Sequence, residues 1–311
     1  MRIVAALGGN ALLRRGEPLT DAAQQANVRR AAGALASLCD GPVELIVTHG
    51  NGPQVGLLAL QSAAGPPGSE QSLDVLNAES EGMLGYLIER ELRNALPPGR
   101  QVVSILSQVL VDPADPAFAC PSKPIGPLYA EAEARRLASE HGWSVTRDVA
   151  GWRRVVASPT PVAVLEIGVI ELLVSRGIIV VCVGGGGIPV ARGGDGLLHG
   201  VECVIDKDRA SALLAQELRA DCLLLLTDVD AVYADWGTSR QRAIVAAGPD
   251  DIDVRNFAAG SMRPKIEAAI EVARGAGIRA VIGRLEDAAA LVQGGAGTTV
   301  TPAWSGLVLR D

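Results

Sequence analysis

Short apolar runs rich in β-branched residues alternate along the chain with longer segments of helical periodicity. The strand predictions are Arg2–Leu7, Val43–Val47, Val102–Val109, Ile178–Val183, Leu223–Thr227 and Ala280–Ile282. The helix predictions are Asp21–Leu38, Ala78–Ala95, Glu131–His141, Val162–Arg176, Asp208–Leu218, Pro264–Gly275 and Glu286–Val292. Runs that are apolar at nearly every position, such as Cys222–Leu226, indicate strands buried on both faces. The pattern therefore predicts an α/β fold, a three-layer αβα sandwich with a mostly parallel central sheet.

Residues 112–160 depart from this alternation. Five prolines surround Lys123, and a helix prediction and two short polar strand predictions, Trp143–Arg147 and Trp152–Val156, follow them. Such a segment predicts a small protruding subdomain that crosses the sheet like a lid. A long surface loop without a function is the alternative.

Glycine-rich turns follow several of the predicted strands. In open parallel sheets ligands bind beyond the carboxyl ends of the strands, where backbone N–H groups can converge on an anion. One such turn could reflect only a structural need for glycine, but three together predict an anion site. The turns match neither a Walker loop nor a GxGxxG fingerprint, and the HRD and DFG kinase motifs are missing. The candidate binding residues are Gly8, Gly9, Asn10, Gly50, Asn51, Gly52, Gly184, Gly185 and Gly186.

Lysine is rare in this chain, and its positions are unusual. Of 28 basic residues only Lys123, Lys207 and Lys265 are lysines, and each lies beside a proline or between aspartates. A lysine ammonium is a compact point charge, and phosphoryl transfer depends mainly on positioning and charge stabilisation. We therefore predict that the three ammonium groups meet at one phosphate chain. Three residual surface lysines are the alternative.

Two aspartates flank Lys207 in the sequence. Asp206 and Asp208 could orient or neutralise the lysines, and Asp208 could instead stabilise the first turn of the helix that follows. The two interpretations are compatible. We interpret His49, at a strand end, as a structural hydrogen-bonding residue rather than a general base.

Composition narrows the function classes. The chain is 48% hydrophobic, and its net charge of −7 disfavours a nucleic-acid surface. Its five cysteines form neither a CxxC pair nor a Cys/His cluster, which disfavours a metal site and favours a reducing compartment. No apolar run approaches the roughly 18 residues of a membrane span. We therefore predict a cytoplasmic protein with no protein-held metal, nucleic-acid partner or membrane segment.

The sequence resembles the carbamate kinases, which are members of the amino acid kinase fold. The matching motifs follow the family order from residue 5 to about residue 300. They are Ala6–Leu12, Val47–Gly56, Lys123–Pro127, Gly184–Val190, Val204–Asp208, Leu226–Tyr233 and Phe257–Met262. Glycine-rich pieces recur across acid kinases, whereas a lysine inside a proline-rich excursion is specific to carbamate kinases.

The resemblance implies a reversible transfer of a phosphoryl group between carbamoyl phosphate and ADP, giving ATP and carbamate. By the same resemblance the glycine loops hold carbamoyl phosphate, and Lys123 reaches over from the protruding subdomain. Lys207 and Lys265 would contact the phosphates, and Asp208 would organise the lysines.

The resemblance also implies two lobes. Residues 1–217 would bind carbamate or carbamoyl phosphate, and residues 218–311 would bind the nucleotide. Asp228, Tyr233, Met262 and Lys265 would line the nucleotide site. Mg²⁺ would arrive on the nucleotide phosphates, and the family is typically homodimeric.

Two departures from the family pattern leave alternatives open. Arg263 stands where the family has a glycine, and Gly168 stands where it usually has aspartate. A residue before proline is pushed toward extended backbone, so Arg263 cannot freely copy a glycine with positive φ. We predict either a changed nucleotide affinity or an Arg263 side chain that points to solvent. A weakly catalytic nucleotide-binding homologue, or an acid kinase for another small carboxylate, is the alternative function.

Overall fold

A large, mostly parallel β-sheet dominates the computed structural model. The structure describes residues 1–14, 16–18, 20–66, 68–148, 151–258 and 260–310 and, of Asn10, the backbone alone. Ala259 of the predicted Phe257–Met262 motif and two residues of the predicted subdomain lie outside the described residues.

The strands and helices alternate as the hydrophobic pattern predicts. The strands are β1 Arg2–Leu7, β2 Glu44–His49, β3 Val102–Ser104, β4 Gln108–Val111, β5 Lys123–Tyr129, β6 Ser144–Asp148, β7 Gly151–Val156, β8 Pro161–Val164, β9 Ile179–Val181, β10 Ile188–Arg192, β11 Leu198–Gly200, β12 Cys222–Thr227, β13 Val232–Ala234, β14 Arg242–Ala247, β15 Arg279–Arg284, β16 Thr298–Val300 and β17 Leu307–Leu309. The helices are α1 Gly9–Leu12, α2 Asp21–Ala36, α3 Gly52–Ala63, α4 Leu73–Ala95, α5 Glu131–His141, α6 Ile167–Ser175, α7 Lys207–Glu217, α8 Met262–Ala276 and α9 Ala288–Gln293. Short 3₁₀ turns are Ser37–Cys39, Pro116–Phe118, Gly184–Gly186, Val254–Asn256 and Leu285–Asp287.

The main sheet has the strand order β13-β14-β16-β15-β12-β1-β2-β9-β3, and β17 pairs with β14 beside this path. From β15 to β3 every strand is parallel to its neighbours within this stretch. Parallel strands end at the same edge of a sheet, so the turns after β1, β2, β9 and β12 are neighbours in space.

Strand β1 explains why the sheet is covered on both faces. Val4 and Ala6 belong to one buried cluster with apolar residues of α7 and α8, whereas Ile3, Ala5 and Leu7 belong to a second cluster with residues of α2 and α4. Successive side chains of a strand point to opposite faces, so an entirely apolar strand requires two apolar layers. The predicted αβα fold class is confirmed.

The predicted strand Val102–Val109 is wrong, because it is two strands in different sheets. β3 ends the main sheet beside β9, and β4 lies in a four-stranded sheet of order β11-β10-β4-β8. The chain turns between them, where Ile105 N–H donates to the Val181 carbonyl and Ser107 Oγ accepts from Val183 N–H. These bonds to the end of β9 redirect the backbone, and the apolar pattern alone does not indicate them.

The predicted helix Val162–Arg176 is wrong at its start. Pro161–Val164 is β8, which pairs antiparallel with β4, and α6 begins only at Ile167. The available edge of β4 and the β-branched side chains favour the strand over the helix here.

Residues 112–160 form an excursion with a sheet of its own. Its antiparallel strand order is β5-β7-β6, and α5 connects β5 to β6. The excursion crosses α3 where Gly56 faces Gly126, and a Cβ at Gly56 would lie only 2.0 Å from the Gly126 Cα. Glycine at both positions therefore allows the two backbones to touch. Ile125 beside this crossing is buried in a small apolar cluster with Val55 of α3.

Every helix in the described part of the chain falls short of the length and apolarity that crossing a bilayer requires. The five cysteines are free thiols: Cys182, Cys203 and Cys222 are buried, Cys39 is partly buried, and Cys120 on the excursion is exposed.

Candidate active site

The first two glycine turns meet at the carboxyl ends of β1 and β2. Gly8 N–H donates to the Leu226 carbonyl of β12 at 3.0 Å, which joins the first turn to the neighbouring strand. A Cβ at Gly50 would lie 3.4 Å from the Gly9 nitrogen and 3.6 Å from Lys207 Cδ. The structure therefore brings the two turns and one predicted lysine together. The side chain of Asn10, also predicted here, lies outside the described residues.

Lys207 and Lys265 share one carboxylate. Lys207 Nζ lies 2.5 Å from Asp208 Oδ1, and Lys265 Nζ lies 2.9 Å from Asp208 Oδ2. The two lysine side chains are each 11% exposed and that of Asp208 is 6% exposed. Two ammonium groups on one carboxylate leave a net positive centre, which can bind a phosphate anion.

The protonation of this centre follows from burial and from the paired charges. Burial alone would raise the pKa of Asp208, but the ammonium groups of Lys207 and Lys265 hold that pKa well below its usual range. Burial, together with the charge of Lys265, lowers the pKa of Lys207 to about 8. Burial also acts against the charged form of Lys265, but Asp208 outweighs it and raises the pKa of Lys265. The two lysines differ because one carboxylate cannot fully compensate two buried cations, and Lys207 is the one that loses its proton more easily.

The third predicted lysine comes from the excursion. Lys123, the first residue of β5, makes an ion pair with Asp206, and the two side chains are 27% and 17% exposed. Burial alone would raise the pKa of Asp206, but the Lys123 charge lowers it. The excursion therefore contacts the body of the protein one residue before Lys207.

Asp206 also caps α7. Its Oδ1 accepts the backbone N–H of Asp208 at 2.9 Å and of Arg209 at 3.3 Å, which satisfies two of the unpaired donors of the first turn. Asp208 lies in the first turn of α7, as the sequence analysis expected, but the N-cap is Asp206, and both Asp208 oxygens face lysines. This cap fixes the position from which Lys207 and Asp208 point into the site.

The third glycine turn, Gly184–Gly187, folds over the second. Gly185 has φ of +69°, and a Cβ there would lie 2.1 Å from Asn51 Nδ2, so neither the conformation nor the space accepts a side chain. A Cβ at Gly184 would lie 2.3 Å from His49 Nε2. The preceding Val183 has φ of +52°, which is strained for a β-branched residue. The three turns thus meet one another, and the second of them lies beside Lys207.

Three polar residues of α4 support these turns, and the sequence analysis missed them. Asn51 Nδ2 donates to Asn77 Oδ1 at 3.0 Å and to Ser80 Oγ at 2.8 Å. Gly184 N–H donates to Glu81 Oε1 at 2.9 Å. Asn77, Ser80 and Glu81 are almost fully buried. The signal was available, because these positions fall on the apolar stripe of the helix, where a polar residue needs a buried partner.

Burial sets the charge of two groups beneath the third turn. It raises the pKa of Glu81 to about 8, although the carboxylate accepts hydrogen bonds from backbone N–H groups that lower this pKa. It lowers the pKa of His49 to about 4, so His49 is neutral at pH 7. His49 Nδ1 lies 3.3 Å from the Gly50 carbonyl, while Nε2 is buried without a hydrogen-bond partner among the described residues. This geometry fits the structural hydrogen-bonding interpretation better than that of a general base.

The predicted nucleotide residues lie farther along the same sheet edge and are more open. Tyr233 of β13 donates from its hydroxyl to Asp230 at 3.0 Å, and its ring lies 5.3 Å from that of Trp236. Trp236 is 65% exposed, and the sequence analysis missed it. Asp228 follows β12 directly and accepts from Thr227 Oγ1 at 3.2 Å. Gly52, the first residue of α3, and Met262, the first residue of α8, are partly buried.

Arg263 binds backbone carbonyls of the preceding loop. It lies in the first turn of α8, and its Nε donates to the carbonyls of Phe257 at 3.0 Å and Val254 at 3.1 Å. The expectation of a side chain pointing to solvent is wrong. The guanidinium ties the loop before α8 to the helix that carries Lys265. Gly168, the other departure, is in the first turn of α6, with open space where a Cβ would lie.

Known proteins are similar to this chain over nearly its whole length. The sequence profile of the amino acid kinase family matches residues 1–284. Carbamate kinase of Haemophilus influenzae is 51% identical, over 99% of this chain and 99% of its own length. Carbamate kinase of Rhizobium meliloti is 48% identical, over 98% and 94% respectively. The structure of Giardia lamblia carbamate kinase bound to AMP-PNP superposes with a TM-score of 0.85 at 36% identity, covering 96% of this chain and 98% of that one.

Proposed function

We propose that this chain, which belongs to the amino acid kinase family and within it to the carbamate kinases, transfers the phosphoryl group at its lysine cluster. In the favourable direction carbamoyl phosphate and ADP give ATP and carbamate. One observation carries the assignment of the site: Lys207, Asp208 and Lys265 lie where the glycine turns of β1 and β2 meet. Lys123 approaches the same helix start from the excursion.

The reaction depends on stabilising the negative charge of the transferring phosphoryl group more than on side chains that form covalent bonds. The bond between phosphorus and the carbamate oxygen breaks, and a bond from phosphorus to a terminal oxygen of ADP forms. Negative charge on the three oxygens of the transferring group is met by the ammonium groups of Lys207 and Lys265. Asp208 holds both lysines at fixed positions. No side chain needs to take up or release a proton, which agrees with a neutral His49.

The glycine turns limit the size of the phosphoryl acceptor that can bind. Gly184 and Gly185 approach His49 and Asn51 so closely that a Cβ on either would overlap them. A small planar acyl phosphate fits such a site through backbone N–H groups, whereas a larger amino acid acceptor would need side-chain space. This favours carbamate over glutamate or N-acetylglutamate as the acceptor.

The nucleotide is proposed to bind in a C-terminal lobe, residues 218–311, and carbamoyl phosphate in residues 1–217. The Tyr233–Trp236 pair supplies an exposed aromatic surface for a base. The Giardia relative was solved with AMP-PNP, an ATP analogue, which supports a nucleotide site in this fold. Lys265, in the proposed nucleotide lobe, pairs with Asp208 of the other proposed lobe and would contact the phosphates from the nucleotide side.

Magnesium is proposed to enter with the nucleotide. The two oxygens of Asp208 already accept hydrogen bonds from lysines, so the central carboxylate suits the organisation of cations better than the binding of a metal. Bound to the nucleotide phosphates, the ion would neutralise part of their charge. The chain's contribution is to hold those phosphates with Lys265 and Lys207.

A homodimer in the cytoplasm completes the proposal. Tyr86 of α4 and Leu106 are 59% and 53% exposed, and Leu106 packs against Gly82 of the same helix. β3 is the edge strand beside this apolar surface. An apolar surface next to a sheet edge suits contact with a second copy. The exclusively free cysteines suit a reducing compartment.

A substrate panel tests the function. The purified protein with Mg²⁺ and ADP is expected to form ATP from carbamoyl phosphate faster than from acetyl phosphate. ATP-dependent phosphorylation of glutamate or N-acetylglutamate at a comparable rate would contradict the carbamate assignment. ADP binding without turnover of any acyl phosphate would identify a nucleotide-binding homologue instead.

A further inference from the structure

A cavity of about 440 Å³ lies between the excursion and the facing ends of α3 and α4. His141, Trp143 and Arg154 form its wall on the excursion, and Glu70 and Glu202 belong to the body of the protein. The lysines and glycine turns of the candidate active site are not among the described residues that line it. Its volume is that of a small-molecule site.

Arg154 is the cation of this cavity. Its guanidinium lies 4.3 Å from the centre of the Trp143 ring, and burial lowers the pKa of Arg154. Within the described ranges Arg154 has no ion-pair partner, although Glu202 and Glu70 are near enough to favour its charged form. A partly desolvated cation without a paired anion is unfavourable, so an anionic group of a ligand would be stabilised here.

Two carboxylates belong to the same cavity. Glu202 Oε1 accepts the backbone N–H of Leu73 at 2.9 Å, which fixes this side chain at the start of α4. Glu70 Oε1 lies 3.8 Å from His141 Nδ1. A simple anion would be attracted by Arg154 but repelled by these carboxylates. A simple cation would be attracted by the carboxylates but repelled by Arg154. A ligand with one charge of each sign satisfies both.

The remaining wall is apolar. Leu73 and Leu76 of α4 and Phe118 of the excursion line it beside the charged groups. We propose that this cavity binds a free α-amino acid, with its carboxylate on Arg154, its ammonium on Glu202 and Glu70, and an aliphatic side chain against Leu73, Leu76 and Phe118. This inference does not depend on the identity of the phosphoryl acceptor.

The position of the cavity connects it to the excursion. Val156 of β7 lines the cavity and lies directly opposite Lys123 of β5 in the antiparallel pair. Glu202 lies four residues before Asp206, the partner of Lys123. An amino acid bridging Arg154 and Glu202 therefore holds the excursion against the body. We expect it to lower the KM for carbamoyl phosphate by about twofold to fivefold and to change kcat less.

Binding to the intact protein is the direct test. The twenty amino acids at millimolar concentration, with acetate and propylamine as single-charge probes, are compared by thermal shift and then by calorimetry. At least one aliphatic amino acid is expected to raise Tm by about 2 °C or more, while neither probe does. A Tm rise with acetate equal to that with the best amino acid, or no rise with any amino acid, overturns the proposal.

Matched variants locate the site. Arg154→Gln and Glu202→Gln are each expected to weaken the amino acid Kd at least tenfold. Arg153→Gln changes the neighbouring arginine, which pairs with Asp148 at 3.1 Å, and should leave the Kd unchanged. Unchanged binding in Glu202→Gln overturns the proposal even if Arg154→Gln does not fold. The KM effect of the amino acid should disappear in the same variants.

Discussion

The two halves of the candidate active site are built differently. On the side proposed for carbamoyl phosphate, Asn51, Glu81 and Asp208 are almost fully buried and hydrogen-bonded. On the side proposed for the nucleotide, Trp236 is 65% exposed, and Arg263 binds backbone carbonyls of a surface loop. Under this proposal the small substrate would meet a buried, hydrogen-bonded centre, and the large one would meet an open surface.

This difference indicates where binding energy is used. A buried centre stabilises developing charge strongly, because its groups cannot be screened by water and need no rearrangement. An open surface of the kind proposed for the nucleotide would contribute to affinity more than to rate. Changes on the buried side should therefore lower kcat, and changes on the open side should raise a KM.

The largest effect is expected for Lys207→Ala and Lys265→Ala. Each should lower kcat about 100-fold to 1,000-fold, because a phosphate-facing charge is lost from a desolvated site. Rates of ATP formation measure this. Arg209→Ala is the control: its guanidinium lies 3.4 Å from Glu267 and is 38% exposed, so kcat should stay within about twofold. A loss under about tenfold in both lysine variants would break the comparison.

Lys123→Ala should lower kcat by about 100-fold while the protein stays folded, since its ion pair with Asp206 is partly exposed. Lys123→Arg should also be poor, because a planar fork does not replace a point charge. Steady-state kinetics and circular dichroism check both statements. Near-normal turnover in a folded Lys123→Ala protein would remove the excursion from the mechanism.

Glu81→Gln sharpens the comparison through pH. The pKa of Glu81 is raised to about 8 from 4.5, so the folded chain holds a proton that the unfolded chain releases in this window. Stability from this group is therefore present below about pH 4.5 and is lost as the pH rises toward 8. The stability contribution of His49 has the opposite pH dependence: it is lost as the pH falls, between about pH 6.5 and 4.

Thermal unfolding between pH 6.5 and 8 isolates the Glu81 contribution. As the pH rises across this range, the Tm of the natural protein should fall more steeply than that of Glu81→Gln, whose amide does not ionise. The variant should also lose about tenfold in kcat/KM for carbamoyl phosphate, since one amide oxygen replaces two acceptors. Equal slopes would show that Glu81 is ionised in the folded protein at neutral pH.

The smallest effect is expected for Arg263→Gly on the open side. Loss of the bonds to Val254 and Phe257 should loosen that loop and raise the KM for ADP about threefold, with kcat nearly unchanged. Arg274→Gly, on the same helix and paired with exposed Asp250, is the control and should change neither constant. A large gain in kcat for Arg263→Gly would mean that the arginine impairs the natural enzyme.

Much of the fold could be predicted because the sheet is covered on both faces. Cys222–Leu226 is apolar at every position, and burial on two faces leaves few other structures for such a run. The division of residues 102–109 between two sheets could not be predicted, since Ser107 turns the chain by bonding to Val183. Likewise β8 depends on the edge of β4, which is distant in sequence from the helix pattern it interrupts.

The site was predictable where chemistry is local in sequence. Lys207 and Asp208 are adjacent in the sequence at the start of α7, so their pairing is a local contact. Glu81 was missed because its partner, the Gly184 N–H, is 103 residues away. The partners of Arg263 are likewise set by the loop fold, so residue type alone could not locate the guanidinium.

The double role of Asp206 separates the capping of α7 from its contact with the excursion. Asp206 Oδ1 accepts the two backbone N–H bonds of the cap, whereas Oδ2 pairs with Lys123, so weakening the ion pair leaves α7 capped. The excursion also stays on α3 through the Gly56–Gly126 crossing and the buried Ile125. Added salt weakens partly exposed ion pairs, so it should weaken the hold of Asp206 on Lys123 while both elements keep their places.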